Sequence, residues 1–563
     1  MKNFLLFCLF LAFIPVSYSQ SAEKATLVQD LIGELKTVNT AKYTFDQQLE
    51  PQGDYILRFN SIKTSSKGKE EKHAYEFSMA DIDKNTVSEQ TKGDQIFVKL
   101  SCKAGKKLIK SFGKSNSVSY VSEFQIIAEN IDNARAIKKI IKQIIPLAIE
   151  ETEARLQATT YNELLSWLEE NIGDADCGKT NYEQSLTQED AGIGTVVFNQ
   201  KKTSGSKETE TKYTFNLSDL NARSISYSVK GSEMAISVET NARKSYIEAA
   251  NDEKQMPYTS KIAIYVNDSE KAKDLKTALS RIIPLAKETL ESALPKTDDL
   301  DELLSLLSDN VQEVSNNSIN IQQQIEAQLI TNYTTTTETS KATINNSYQF
   351  FIGDLDVNTV KTKISGIDIV TTVQIKAKKH YIKVVKNDIV QNYGYSIKIY
   401  CSNIENNRRL EMILKQLIPL AEDNYESIVP QGNASDKISW ALEQVKEISD
   451  DSYTYEQSLE LDDETTLKYT LIKSSSKKST ETIYECNYGD LNSKTVDLVV
   501  KGKQLFVKLN TKLNKKLINV YQDAEIKPYT NAFQIQFDDL EVARNFVIAL
   551  KDAIEAYDEE NDD

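Results

Sequence analysis

Histidine is almost missing from this chain, with two in 563 residues, His73 and His380. They fall at non-equivalent places, in what reads as a third strand and a sixth strand, and no HExxH or His-x-His spacing surrounds them. That excludes the usual zinc constellations. No serine lies in a GxSxG context, so a Ser-His-Asp hydrolase built on His380 has no support either. Proline is scarce at nine residues, which argues against long extended linkers. Basic charge is in deficit: 67 Lys and Arg against 83 Asp and Glu leave a formal net charge of −16. A surface of that sign opposes nucleic acid, whose phosphates need a basic face, and opposes anionic lipid. Beyond the N-terminus no apolar run approaches the roughly 18 residues of a membrane-spanning helix. No glycine-rich loop followed by a helix is present to cradle a phosphate, and no Asp or Glu pair has a spacing that defines a glycosidase. The chain therefore offers no catalytic residue, no metal site and no cofactor site from its sequence.

The chain opens with Met1-Lys2-Asn3, an apolar run from Phe4 to Val16, and Ser17-Tyr18-Ser19. A basic start, a short greasy stretch and a small-x-small site form a secretory signal. Cleavage is expected after Ser19, leaving Gln20 first in an exported protein, periplasmic or secreted, of a Gram-negative bacterium. Cys8 lies inside the run with no cysteine at the cleavage point, which argues against a lipid anchor.

From there to the C-terminus the chain is one unit written four times. An alternating strand ends in Asp81, Asp219, Asp354 and Asp490, at intervals of 138, 135 and 136 residues. Six residues after each comes Val87, Ile225, Val360 or Val496; twelve after comes Gly93, Gly231, Gly366 or Gly502. Upstream, a strand carries Gln47, Gln184, Gln323 and Gln457. Downstream, three copies share a phrase around Pro146, Pro284 and Pro419, where the fourth has Glu555. The copies span 20–157, 158–296, 297–432 and 433–563, the last closing in an acidic tail.

Periodicity gives each copy an opening helix (Leu27, Leu31, Ile32 and Leu35 at helical spacing in copy one), about seven antiparallel strands joined by hairpins, and a closing helix from about Asp132 to Ile145. The fold class is α+β, mainly β. Seven strands capped by one C-terminal helix, with Asp-Leu-Asn and then a β-branched residue after the third strand, as at Asp219–Asn221, resemble the pleckstrin-homology superfold and its GRAM-like bacterial members. The resemblance covers each copy from its first strand onward and implies a partly open barrel.

The repeated Asp reads as an Asx turn and the repeated Gly as a hairpin residue at positive φ. Each copy owns one cysteine, so no disulfide closes within a copy. Cys102, Cys401 and Cys486 read as small core hydrophobes, Cys486 standing where the other copies have Phe77, Phe215 and Phe350. Cys177, in Asp-Ala-Asp-Cys-Gly, reads as the one reactive thiol. Trp167, Trp440 and Leu306 read as packing knobs in opening helices. Lysines line the fifth hairpin: Lys103, Lys106, Lys107 and Lys110 in copy one, Lys376, Lys378 and Lys379 in copy three, Lys512, Lys515 and Lys516 in copy four, with Arg243 and Lys244 in copy two. They form either a solvated face or an anion patch. The first hairpin, which pleckstrin-like phosphoinositide binders use, is here acidic or neutral (Glu50–Asp54, Asp462–Glu464), which argues against such lipids. The expectation is a non-enzymatic tandem-repeat binding protein for a protein or cell-envelope partner. A carrier of an apolar small molecule, held between sheet and helix, is the alternative, and a carboxylate hydrolase the third reading.

Overall fold

The computed structural model describes residues 22–561, apart from 54–55, 114–116, 191–192, 316–319, 340 and 451. The export signal expected over 1–19 lies outside them. The chain divides into two compact halves, Met1–Leu294 and Pro295–Asp563. Each contains two copies of the repeat, and each half is described by itself.

Copy one begins with helix α1 (22–34). Its strands are β1 (Val38–Asn39), β2 (Tyr43–Pro51), β3 (Leu57–Ser65), β4 (Glu70–Phe77), β5 (Ser88–Lys92), β6 (Gln95–Ser101), β7 (Ile109–Phe112), β8 (Val118–Val121) and β9 (Glu123–Ala128). Helix α2 (Ile131–Ala154) closes it. The opening helices of the later copies are α3 (Tyr161–Asn171), α5 (Leu300–Asn310) and α7 (Ala434–Glu443). Their closing helices are α4 (Ser269–Ala293), α6 (Ile404–Asp423) and α8 (Leu540–Asn561).

The protein is mixed helix and sheet, and its strands pair antiparallel, as the sequence implies. The single run of hairpins is corrected. Copy one forms two sheets, a six-stranded one in the order β1-β2-β3-β4-β7-β8 and a three-stranded one in the order β5-β6-β9, and the other copies repeat both orders. Neither sheet closes into a barrel. The chain leaves the first sheet after β4, makes the β5–β6 hairpin in the second, returns for β7–β8, and crosses again for β9. Short 3-10 turns at Met79–Asp81 and Lys103–Gly105 make the deflections. Periodicity cannot see this, because a strand looks the same whichever sheet it joins. The hairpin glycines Gly93, Gly231, Gly366 and Gly502 do take positive φ, between 64° and 66°.

The closing helices are longer than expected. α2 runs through Pro146 to Ala154, and α4 and α6 run through Pro284 and Pro419. Proline removes one intrahelical bond, but the buried stripe continues past it, with Ala148 in α2 and Ala286 and Leu290 in α4. That burial holds the helix together beyond the break. In copy one the stripe of Ala134, Ile137, Ile141, Ile144 and Ile145 shares one core with Val98, Leu100, Phe124 and Ile126. Trp167 and Trp440 pack against the cores from their opening helices.

The two sheets are clamped together by the repeated glutamine. Gln47 Nε2 donates to the Ile127 carbonyl at 2.8 Å, and its Oε1 accepts from the Ile127 amide at 2.8 Å. Gln184 does the same to Tyr265, both at 2.9 Å. Gln323 embraces Tyr400 at 2.7 and 3.2 Å, and Gln457 embraces Gln536 at 2.7 and 3.4 Å. A primary amide is a single peptide unit, so on β2 it imitates one rung of a ladder for β9, which is the edge of the smaller sheet. Gln323→Leu strips both partners from the Tyr400 backbone and is expected to cost the C-terminal half about 1–3 kcal/mol, read as a lower urea midpoint. Gln323→Glu is also expected to destabilise, because a carboxylate cannot donate to the Tyr400 carbonyl. An unchanged midpoint for both variants contradicts the clamp.

Candidate functional site

The aspartate after β4 does not make the Asx turn expected of it. That bond comes from the residue three places earlier: Ser78 Oγ accepts from the Ala80 amide, Asn216 from Ser218 and Asn487 from Gly489. The aspartate, last in its 3-10 turn, turns its carboxylate outward. In the N-terminal half Asp81 Oδ2 lies 3.0 Å from Lys273 Nζ, on the closing helix of copy two. In the C-terminal half Asp354 Oδ2 lies 2.5 Å from Arg544 on the closing helix of copy four. In each half, the aspartate of the first copy, Asp81 or Asp354, is thus one side of a joint with the second copy. Its partner position is also repeated: Arg135, Lys273, Arg408 and Arg544 follow the same intervals, each three residues after an acid, Asp132, Glu270, Glu405 or Glu541. The intervals could have revealed this pair. Its mixture of Lys and Arg on a charged helix face hid it.

In the first joint the charges alternate. Lys273 also pairs with Glu270, and Arg155 at the end of α2 grips Glu270 at 3.0 Å and Asp274 through Nε at 2.8 Å. Tyr120 Oη donates to the Asn267 carbonyl at 3.2 Å. Burial dominates the titration of Asp81: desolvation pushes its carboxyl up to about 6 although Lys273 works against it. In the second joint Arg544 sits among the rings of Phe351, Tyr381 and Tyr425, its Cζ 5.9, 5.0 and 5.8 Å from their centroids. Glu541 beside it is pushed up to about 7, by burial first and then by the nearby Asp354, against the pull of Arg544.

The two joints differ in filling. Copy one has Ser78, Leu108 and Thr152 where copy three has Phe351, Tyr381 and Tyr425. The smaller side chains leave a cavity of about 570 Å³ between copies one and two. Its wall is basic: Lys103, Lys106, Lys273, Lys276 and Arg281 face it, against the carboxylates of Asp81 and Glu153. Lys106 and Lys276 both lie over the Tyr227 ring, Nζ 4.9 and 5.3 Å from its centroid. Burial, and then Lys106, lowers the pKa of Lys276. Lys103 has no salt bridge among the described residues. Its counterparts Lys376 and Lys512 pair with Glu422 and Asp558 on their own closing helices, whereas copy one has Ile149 there. Two lysines that read as a solvated face or an anion patch therefore line a cavity. Lys107 lies exposed outside it, and Lys110 stacks on Phe112. A cavity of this size is within the usual range for small-molecule sites, and its excess of cations suits an anion.

The remaining expectations resolve simply. All four described cysteines are unpaired and buried. Cys177 is no exception: it lies in a small cluster with Ala175 and Tyr182, and burial raises its thiol pKa, so the expected reactive thiol is corrected to a packed one. The aspartate-rich loop around it looks exposed in sequence because Tyr265, which packs against that cluster, is distant in the chain. His73 is exposed on β4. His380 is not in a strand; its Nδ1 lies 2.7 Å from the Tyr393 carbonyl in the second joint. Among the described residues no group of three or more His, Cys, Asp or Glu is placed to hold a metal, and no helix is long and apolar enough to cross a membrane. In comparisons with family models, curated proteins and solved structures, nothing matches this chain.

The buried acid of the second joint has a pH signature. A glutamate raised from near 4.5 to about 7 takes up a proton on folding. Its effect on stability is most favourable below the lower value, diminishes as pH rises through the window, and is flat above the upper one. Glu541→Gln is expected to remove that decline, measured as the pH dependence of the denaturant midpoint between about pH 4.5 and 7. An unchanged slope in the variant contradicts the assignment.

Proposed function

We propose that this chain is an exported, non-enzymatic binding protein whose repeats work in pairs, and that its first pair holds a small polyanion bearing phosphate or carboxylate groups. The observation that carries the reading is the contrast between the two joints. One is plugged by aromatic rings and has its turn lysine neutralised. The other is open, with Lys103, Lys106 and Lys276 directed at the opening and Lys103 without a salt bridge among the described residues. Several ammonium groups facing one another across this opening repel, and an anion held between them relieves that repulsion. The repeated elements are strands, turns, a clamp and a joint, and among the described residues no constellation of nucleophile, base and oxyanion donors accompanies them, which favours binding over catalysis. The tandem pleckstrin-like reading of the copies stays part of this proposal. The apolar-carrier alternative has weaker support, because the gap between α1, α2 and the sheet of copy one is about 180 Å³, below the usual range of ligand pockets.

Titration calorimetry with pyrophosphate and with citrate tests the reading. Saturable binding of at least one is expected, weakening as salt is raised. Lys103→Glu is expected to abolish it. So is the pair Leu108→Tyr with Thr152→Tyr, which rebuilds the plug of the second joint without loss of melting temperature. Absence of binding by either anion, or binding that survives both changes, overturns the proposal.

A further inference from the structure

We propose that the protein assembles head to tail with further copies of itself, the outer face of copy four docking on the outer face of copy one through the kind of joint seen inside each half. Each joint has two sides. The first side supplies the turn aspartate and a tyrosine, Asp81 with Tyr120 or Asp354 with Tyr393. The second side is the closing helix of the next copy, with Lys273 or Arg544. Copy four carries the first side, Asp490 and Tyr529, and among the described residues no closing helix of another copy covers it. Copy one carries the second side, Arg135, which among the described residues pairs only with Asp132 of its own helix.

Exposure matches this division. The tyrosine recurs at fixed intervals as Tyr120, Tyr258, Tyr393 and Tyr529. Tyr120 and Tyr393 are 6% and 4% exposed within their joints, while Tyr529 is 58% exposed. The side chain of Lys273 is 10% exposed and that of Arg544 13%, while that of Arg135 is 65% exposed. Around Tyr529 the face is more apolar than a solvated hairpin requires. Leu513 and Ile526 are each 82% exposed. Leu513 also holds φ at 55° where the other copies have alanine, a backbone region that disfavours a bulky side chain.

The charges of the two ends match as well. Lys84, Arg135, Lys138, Lys139 and Lys142 gather on the outer face of copy one. In the first joint the tail of α2, with Thr152, Glu153 and Arg155, lies against α4 of copy two. The last turn of α8 carries Asp558, Glu559 and Glu560, at the register of Ile149, Glu150 and Glu151 in α2. Lys512 neutralises Asp558, and Lys515 and Lys516 flank the turn, as Lys106 and Lys107 do in copy one without preventing that joint. A joint of this kind uses two different surfaces, so it propagates as an open chain or closes as a ring rather than stopping at a two-fold dimer.

Sedimentation velocity of the purified protein over a dilution series is expected to show a ladder of species that grows with concentration and shrinks with salt. Asp490→Arg and Arg135→Asp each lose the species above monomer while melting as the native protein does. Mixed together, the two variants are expected to assemble again, because Asp490 of one meets Arg135 of the other and the two reversed positions are once more opposite in charge. A variant that had simply misfolded cannot be rescued by mixing. A monomer at every concentration, assembly that survives both substitutions, or a mixture that stays monomeric overturns the proposal.

Discussion

Each copy of the repeat rests on a side chain that behaves as a piece of backbone. The amide of Gln47, and of its three counterparts, donates to and accepts from one residue of the smaller sheet's edge strand. Without it, the two open sheets would meet mainly through apolar side chains, which fix distance but not register, and through single donors such as Gln200 to the Ala263 carbonyl and Tyr333 to the Lys398 carbonyl. With it, β9 is set against β2, and β9 leads directly into the closing helix. The clamp therefore governs where that helix lies, and the helix is the surface on which neighbouring copies meet.

The joints show how one ionic contact can be embedded in two ways. Asp354 and Arg544 are surrounded by rings, which exclude water and stack on the guanidinium. Asp81 and Lys273 belong to an alternating row of charges that ends at Arg155. A buried ion pair contributes little net stability against an apolar alternative. Its value here is geometric, because an unpaired buried charge penalises any other docking of the copies. The contact being secured by the pair, the residues around it could vary, and in the first joint three smaller side chains open a cavity with a basic wall.

Much of this was legible in the residues. Turn aspartates, hairpin glycines and alternating strands repeat at intervals that leave no doubt about four copies, and Cys486 in a phenylalanine position reads correctly as core. The glutamine was visible as a landmark but not as a clamp, since nothing in its strand points to a partner about 80 residues on. The joint cation was visible at the same intervals yet looked like any charged helix residue. Cys177 looked exposed because its loop is acidic, and only the packing of Tyr182 and Tyr265 buries it.

The sequence by itself determined the number of copies, the elements within each, and the residues that make the tight turns. Those depend on local steric preference and on periodicity, which act over a few residues. Tertiary structure alone decided that the strands divide between two sheets, that Asp81 and Asp354 face a neighbouring copy instead of their own turns, and that two lysines of a surface-like cluster line a cavity. Each of these depends on groups from well over a hundred residues away or from another sheet, and on whether the side chains between them are large enough to fill the space.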